Sequence, residues 1–275
     1  MTQTEQLAEL AADRLEAIRS RKPLVHHITN NVVTNLTANV TLALGALPVM
    51  APAIEESGEM VRAAGALLLN IGTLDPAQVE SMLAAGAVAN QCGIPIVLDP
   101  VGAGATTLRT EVTHRLLRSL RTAIVRGNAG EVGVVAGAGG EVRGVESVGA
   151  AGDTVGLARL TASRFGLTAA ITGKRDVVSD GRLVGYVDNG HELLRAVTGT
   201  GCSATTAVAC FAAVEPGGVL AATSALLCMG IAAEVAAEHS GGPGTFVPRW
   251  LDALFALDRA TIRQRCRAWI EGGEE

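Results

Sequence analysis

The chain has 275 residues, with 22 Lys and Arg against 27 Asp and Glu, a formal net charge of −5. The length allows one large domain or two small ones, and the acidic balance argues against a protein built on contacts to a nucleic-acid backbone. Hydrophobic residues reach 48% and charged residues only 18%, too apolar for a disordered chain, while aromatics at 3% demand a core of aliphatic and Ala side chains.

Residues 1–20 alternate acidic, basic and apolar side chains without the apolar stretch of a signal peptide, and predict an amphipathic helix. Short aliphatic runs then alternate with helical patterns. Ala66–Ile71 predicts a buried strand, and Pro76–Gln91 a helix with Asp75 as N-cap and Pro76 at its first position. Ile94–Leu98 predicts the next strand, closed by Asp99-Pro100, and Thr107–Leu120 the next helix. Ala123–Val125 predicts a short strand, Asn128–Val135 a short helix, and Asp153–Phe165 a longer helix capped by Asp153. Leu167–Thr172 predicts a strand; Asp176–Ser179 and Arg182–Val187, split by Asp180-Gly181, predict a hairpin. From Gly201 onward the pattern is almost wholly helical. Its most apolar window, Val219–Ala237, is Ala-rich and carries Thr223, Ser224 and Glu234, which fits a buried helix better than a membrane span.

Continuous apolar strands alternating with helices predict an α/β fold, a mostly parallel sheet covered on both faces and made mixed by the hairpin. One domain over residues 1–275 is expected. Gly137–Gly140 is the candidate mobile loop, and the acidic tail 271–275 is expected to fray. The five cysteines are odd in number and form no C-x-x-C pair, which argues against a disulfide framework or a zinc site and fits a reducing cytoplasm. Cys92, Cys210, Cys228 and Cys266 read as core residues, and His114, His191 and His239 as surface ones.

In open parallel sheets, ligands bind beyond the carboxyl ends of the strands. Polar residues and glycines recur at each such end: Asn70–Thr73, Asp99–Gly102, Arg126–Glu131 and Thr172–Asp176. Turn chemistry accounts for the glycines; it accounts less well for Arg126 and Glu131. The sharpest motif is Thr198-Gly199-Thr200-Gly201-Cys202, directly ahead of a helical run over Ser203–Val214. Glycines at a helix start leave backbone N–H groups unshielded, and the helix dipole adds positive charge, so Gly199, Thr200 and Gly201 form a candidate anion hole for a transferring phosphoryl group. Cys202 sits at that same N-terminus, where the dipole is expected to lower its thiol pKa. Asp99 and Glu131 are the candidate carboxylates for Mg²⁺, an ion that needs only one or two and keeps several waters. Of His26 and His27, which point to opposite faces of a strand, at most one can face a site.

These blocks resemble the hydroxyethylthiazole kinase family of the ribokinase-like superfamily. The resemblance runs from about Lys22 to the helix containing Phe246–Leu257. It rests on His27-Ile28-Thr29-Asn30 with Asn35 downstream, Pro48–Ala51, Asn70–Thr73, Asp99–Ala103, Arg126-Gly127-Asn128 with Glu131, Thr172-Gly173 with Asp176, and Thr198–Cys202. It implies ATP-dependent phosphorylation of the primary hydroxyl of 4-methyl-5-(2-hydroxyethyl)thiazole, giving the thiazole phosphate used in thiamine assembly. It implies that Met50, Gly199 and Asn30 bind the thiazole. Arg126, Thr172 and Asn128 would bind ATP, and Asp99 and Glu131 would serve Mg²⁺ largely through water. Cys202 takes the place where most ribokinase-like kinases carry an Asp general base. The resemblance also implies a cytoplasmic homotrimer with the thiazole pocket between subunits, and neither nucleic acid nor membrane as a partner.

Three other readings compete with this one. A hydroxymethylpyrimidine phosphate kinase shares the Gly-Thr-Gly-Cys turn but carries a Gly-rich stretch after its first strand, where this chain has His26–Asn39. A nucleotide-binding module without catalysis would not need Asp99, Glu131, Arg126 and the glycine turn together. A dinucleotide oxidoreductase needs a G-x-G-x-x-G fingerprint near the N-terminus, which is absent.

Overall fold

The computed structural model describes residues 1–137 and 153–272. Of the Gly137–Gly140 stretch only Gly137 is therefore described, in a left-handed turn after a helix; residues 138–140 lie outside the described residues.

The chain order is α1 (Gln3–Arg21), β1 (Leu24–Ile28), α2 (Thr34–Leu44), β2 (Leu47–Val49), α3 (Ile54–Arg62), β3 (Ala66–Asn70), α4 (Pro76–Cys92) and β4 (Ile96–Asp99). It continues with α5 (Thr107–Ser119), β5 (Ile124–Asn128), α6 (Ala129–Val135), α7 (Thr154–Phe165), β6 (Thr168–Thr172), β7 (Asp176–Ser179) and β8 (Leu183–Val187). A 3₁₀ turn (Glu192–Ala196) leads into α8 (Thr200–Ala212), α9 (Gly218–Ala237), α10 (Pro243–Ala256), α11 (Arg259–Arg265) and β9 (Ala268–Gly272).

Local chemistry sets the boundaries. Thr2 and Glu5 form a capping box that starts α1. The Asp75 carboxylate accepts from the Gln78 N–H and Pro76 fills the first helical position of α4, as its sequence predicts. Asn128 and Glu131 cap α6 reciprocally, which fastens the end of β5 to the helix that follows it.

One nine-stranded sheet runs in the order β2-β1-β3-β4-β5-β6-β7-β8-β9 among the described residues. It is parallel from β2 to β6 and antiparallel from β6 to β9. Alternate strand residues bury on opposite faces. Val25, Leu68, Val97 and Ile124 join the cluster formed with α1, α2, α8, α9, α10 and α11. Leu67, Leu69, Ile96 and Val125 join the cluster on the other face, under α3 to α7. Among the described residues α9 alone is long and apolar enough to cross a membrane, and it lies mostly buried inside the fold.

Two terminal expectations are corrected. The C-terminal region does not end in helix: Ala268–Gly272 forms an edge strand on β8, and Trp269 stacks on Tyr186 at 5.0 Å between ring centroids. Glu271 and Gly272 belong to that strand, so the chain does not fray from residue 271; residues 273–275 lie outside the described residues. Cys92 is exposed, not core. The half-buried His191 lines a cavity and its Nδ1 accepts from the Leu193 N–H, so it is more than a surface residue.

Candidate active site

The carboxyl ends of β1, β3, β4, β5 and β6 converge on the N-terminus of α8. Gly199 is the helix cap, with φ of 87°, and a side-chain carbon there would sit 2.8 Å from Val33 Cγ1. Only glycine takes that conformation without strain. Helix α8 begins at Thr200, earlier than the sequence pattern implied, so Thr200, Gly201 and Cys202 form its first turn. Their N–H groups have no intrahelical carbonyl to bond and point out with the positive end of the helix dipole. The Thr200 hydroxyl is turned away: it donates to the carbonyls of Leu194 (2.6 Å) and Val197 (3.3 Å), anchoring the turn that precedes the helix.

Two cavities meet at this turn. The smaller, about 380 Å³, is lined by Asn30, Gly72, Asp99, Glu131, Gly199 and Cys202 among others. The larger, about 790 Å³, takes in Thr172, Lys174, Asp176 and an apolar wall that includes Leu226, Met229 and Trp250. Arg126, Asn128 and Gly201 line both. Arg126 is almost fully buried, and its guanidinium lies against α8: a carbon on Gly201 would sit 3.1 Å from Nη1. It donates from Nη2 to the Thr172 hydroxyl, while its buried Nε has no partner.

The acidic groups are held unequally. Asp99 is buried, and its Oδ2 accepts from Asn70 Nδ2 (2.9 Å) and from the Thr205 hydroxyl (2.8 Å). Burial, reinforced by the charge of Glu131, lifts its pKa to about 6 against the opposing pull of Arg126 and the two hydrogen bonds. Glu131 accepts through Oε1 from the Gly102 N–H and through Oε2 from the Asn128 N–H, both at 2.9 Å. Asp176 accepts from the Gly173 N–H, and burial raises it to about 6 as well. Burial pushes the Cys202 thiol up, and the Asp99 charge adds to this. The expected lowering at the helix N-terminus is therefore overturned: desolvation and the Asp99 carboxylate outweigh the hydrogen bonds from Asn70 and Asn30 and the Arg126 charge.

Asn30, Asp99, Arg126, Asn128, Glu131, Gly199, Gly201 and Cys202 thus share one cavity wall, and Thr172 joins them through Arg126. Met50 does not join them. It follows β2, the outermost strand, and lines neither cavity. Both histidines of β1 are buried and stay outside the cavities. His26 Nε2 pairs with the Ala51 carbonyl at 3.0 Å and His27 Nε2 with the Thr41 hydroxyl at 3.3 Å. Burial depresses the pKa of both, that of His27 to about 3, so both are neutral. Sequence reasoning missed Thr205, which grips Asp99 from one turn beyond Cys202. It also missed Arg109, whose guanidinium donates to the carbonyls of Ile71, Gly72 and Val101 and ties two strand-end loops together. The only signal for either was position: Thr205 falls three residues after Cys202, and Arg109 puts a cation in the first turn of α5, where the dipole disfavours it.

A sheet of this topology, with a polar pocket at the strand ends beneath a glycine-started helix, defines the ribokinase-like class. A ribokinase-like superfamily protein from Enterococcus faecalis V583 shares the fold, with a TM-score of 0.63 at 14% identity over 90% of this chain and 95% of that one. Within that class the match narrows: residues 15–260 fit the hydroxyethylthiazole kinase family, and the chain belongs to it. It is 58% identical over 250 residues to a hydroxyethylthiazole kinase of Desulfatibacillum aliphaticivorans, covering 91% of this chain and 93% of that one. The solved structure of a hydroxyethylthiazole kinase protein from Pyrococcus horikoshii OT3 matches with a TM-score of 0.88 at 44% identity, over 96% of this chain and 99% of that one.

Proposed function

We propose that this protein transfers the γ-phosphoryl group of ATP to the primary hydroxyl of 4-methyl-5-(2-hydroxyethyl)thiazole, supplying the thiazole phosphate for thiamine assembly. One observation carries the reading: the first turn of α8 and the Arg126 side chain lie at the junction of two cavities, one sized for a small heterocycle and one for a nucleotide. Kinases of this kind work chiefly by positioning and charge stabilisation, because the transferring phosphoryl group is only loosely bonded at the barrier.

In this reading the acceptor sits in the smaller cavity against Asn30 and Gly199. ATP fills the larger one with its phosphates towards Arg126, Thr172 and Asn128. The N–H groups of Thr200, Gly201 and Cys202 and the Arg126 guanidinium receive charge that develops on the phosphoryl oxygens. The raised thiol of Cys202 stays protonated at neutral pH, so it orients the acceptor and does not remove its proton. The hydroxyl proton can leave late, since little bond to the nucleophile exists at the barrier.

Asp99 and Glu131 fit Mg²⁺. They supply an all-oxygen pair on one wall, and no group of three or more His, Cys, Asp or Glu side chains forms a full metal cage among the described residues. That suits an ion that binds through one or two carboxylates, water and substrate phosphates. When bound, it would neutralise phosphate charge.

A homotrimer with the pocket completed between subunits is part of the same proposal. Met50 lies outside both cavities, and Leu47 on edge strand β2, Leu42 on α2 and Ile54 at the start of α3 are all exposed apolar residues. A second copy covering that edge would supply what one chain lacks. The five free thiols suit the cytoplasm. The test is ADP release from Mg-ATP with hydroxyethylthiazole, and with hydroxymethylpyrimidine in parallel. Turnover with the thiazole alone is expected; turnover with the pyrimidine alone, or ATP binding without turnover, overturns the reading.

A further inference from the structure

Asn70 ends β3 with no exposure to solvent. Its Oδ1 accepts from Asn30 Nδ2 at 2.8 Å and from the Gly72 N–H at 2.9 Å, and its Nδ2 donates to Asp99 Oδ2 at 2.9 Å. The partners fix which way the amide points, because a flipped amide would set an NH₂ against two donors and an oxygen against a carboxylate. The network continues on both sides. Asn30 Nδ2 reaches Cys202 Sγ at 3.5 Å, and Asp99 Oδ2 takes the Thr205 hydroxyl. Cys202 and Thr205 lie one turn apart on α8, so Cys202–Asn30–Asn70–Asp99–Thr205 is a ring that leaves the helix, crosses the ends of β1, β3 and β4, and returns to it.

We propose that Asn70 is a positioning residue for phosphoryl transfer. It holds acceptor-side Asn30 and phosphate-side Asp99 in one register with the first turn of α8. No other uncharged side chain of this size offers an acceptor and a donor on one planar group. Asp would lose the donor and set a second carboxylate against Asp99; Leu would leave the Gly72 N–H without a partner and Asn30 held only by Cys202 and the Val32 N–H. Displacing a reacting group by about 1 Å costs on the order of a hundredfold in rate, so a buried side chain that touches no substrate can still govern turnover.

The inference rests on the proposed kinase reading, and the experiment separates the two. Wild type, Asn70→Asp, Asn70→Ala and the Asn30→Ala/Asn70→Ala pair with its Asn30→Ala single are assayed as full chains with Mg-ATP and hydroxyethylthiazole, ADP and phosphorylated acceptor being measured separately. Thermal unfolding checks that each is folded. Expected is a fall in kcat of about a hundredfold with the KM for ATP changed by less than about threefold. ADP released per acceptor phosphorylated should rise above one, as water replaces a misplaced acceptor. The double variant should be no slower than the worse single within about threefold, since both substitutions break one ring. An unchanged kcat in folded variants, a matching rise in the KM for ATP, or additive losses in the double variant overturns the proposal. Peptide-resolved iodoacetamide labelling of Cys202 reads the ring without substrate: it should slow at fixed pH when Asn70 no longer holds Asn30, because the thiolate loses the N–H that Asn30 donates to it. If wild type forms no thiazole phosphate, the kinase reading fails by itself. Labelling then decides whether Asn70 holds the ring, an unchanged rate overturning that role.

Discussion

The two cavities that meet at α8 share Arg126, Asn128 and Gly201 but are otherwise walled differently. Around the smaller one the polar side chains already bond each other: Glu131 takes two backbone N–H groups, and Asn30, Asn70, Asp99 and Thr205 close on one another. Around the larger one Asp176 takes the Gly173 N–H and Asn189 grips Glu234, but part of the wall is the apolar set Leu226, Met229 and Trp250, and Lys174 stands exposed at the rim. A wall whose hydrogen bonds are made in advance is rigid and fixes geometry at no cost during reaction. A partly apolar wall with a cation at its rim suits a ligand that brings both a ring and negative charge. In the proposed reading the small cavity orients the acceptor and the large one takes the nucleotide, the division that phosphoryl transfer between a small alcohol and a nucleotide requires.

The largest test of that contrast is Arg126→Ala. It removes the guanidinium that lines both cavities, and kcat/KM should drop by about 10³, with a clear rise in the KM for ATP. An unchanged ATP dependence would break the assignment of the larger cavity to the nucleotide. Cys202→Ala sharpens the contrast from the other side. A thiol that stays protonated is not a general base, so the loss in kcat should stay near tenfold, below the roughly 10²–10⁴ that removing a working base costs. Cys202→Asp, which restores the carboxylate that the superfamily resemblance implies, should retain turnover; a folded but inactive Asp variant would sink this account of the thiol.

The smallest effect is on stability. The Asp176 carboxyl has its pKa raised to about 6 by burial, so the folded chain holds its proton more tightly than the unfolded chain. Stability from this group is present below about pH 4 and is lost as pH rises through 6. Asp176→Asn should thus raise stability at pH 8 by about 1–2 kcal/mol, discounted for partial exposure at the cavity wall, and change little at pH 4. Thermal unfolding at the two pH values checks it. Equal shifts at both would show that Asp176 is not held against its charge, and that the larger cavity is less desolvated than its walls indicate.

Much of this molecule could be read from residue order. Apolar runs such as Ala66–Asn70 and Ile96–Asp99 are buried on both faces, and that burial leaves a continuous hydrophobic signature. Asp75-Pro76 and Asn128 with Glu131 announce their helices because a cap is a contact between residues two or three apart. The glycine turn before Cys202 was legible for the same reason: one helix start suffices to make it. The sequence by itself therefore determined the order of elements from Ala66 to Val187, the sheet class, the strand ends at which polar groups gather and the family; β1, α2, β2 and α3, over residues 24–62, were not assigned from it. Tertiary structure alone decided which of those groups meet. Edge strand β9 exists because β8 offers it a partner, and nothing within Ala268–Gly272 announces that. Neutral His26 and His27, the raised Cys202 thiol, Thr205 on Asp99 and the ring through Asn70 all depend on what surrounds a side chain, set by residues up to 172 positions away in the chain. Local signals are written in local spacing. Desolvation and charge proximity have no local spelling, so they become visible only once the chain has closed on itself.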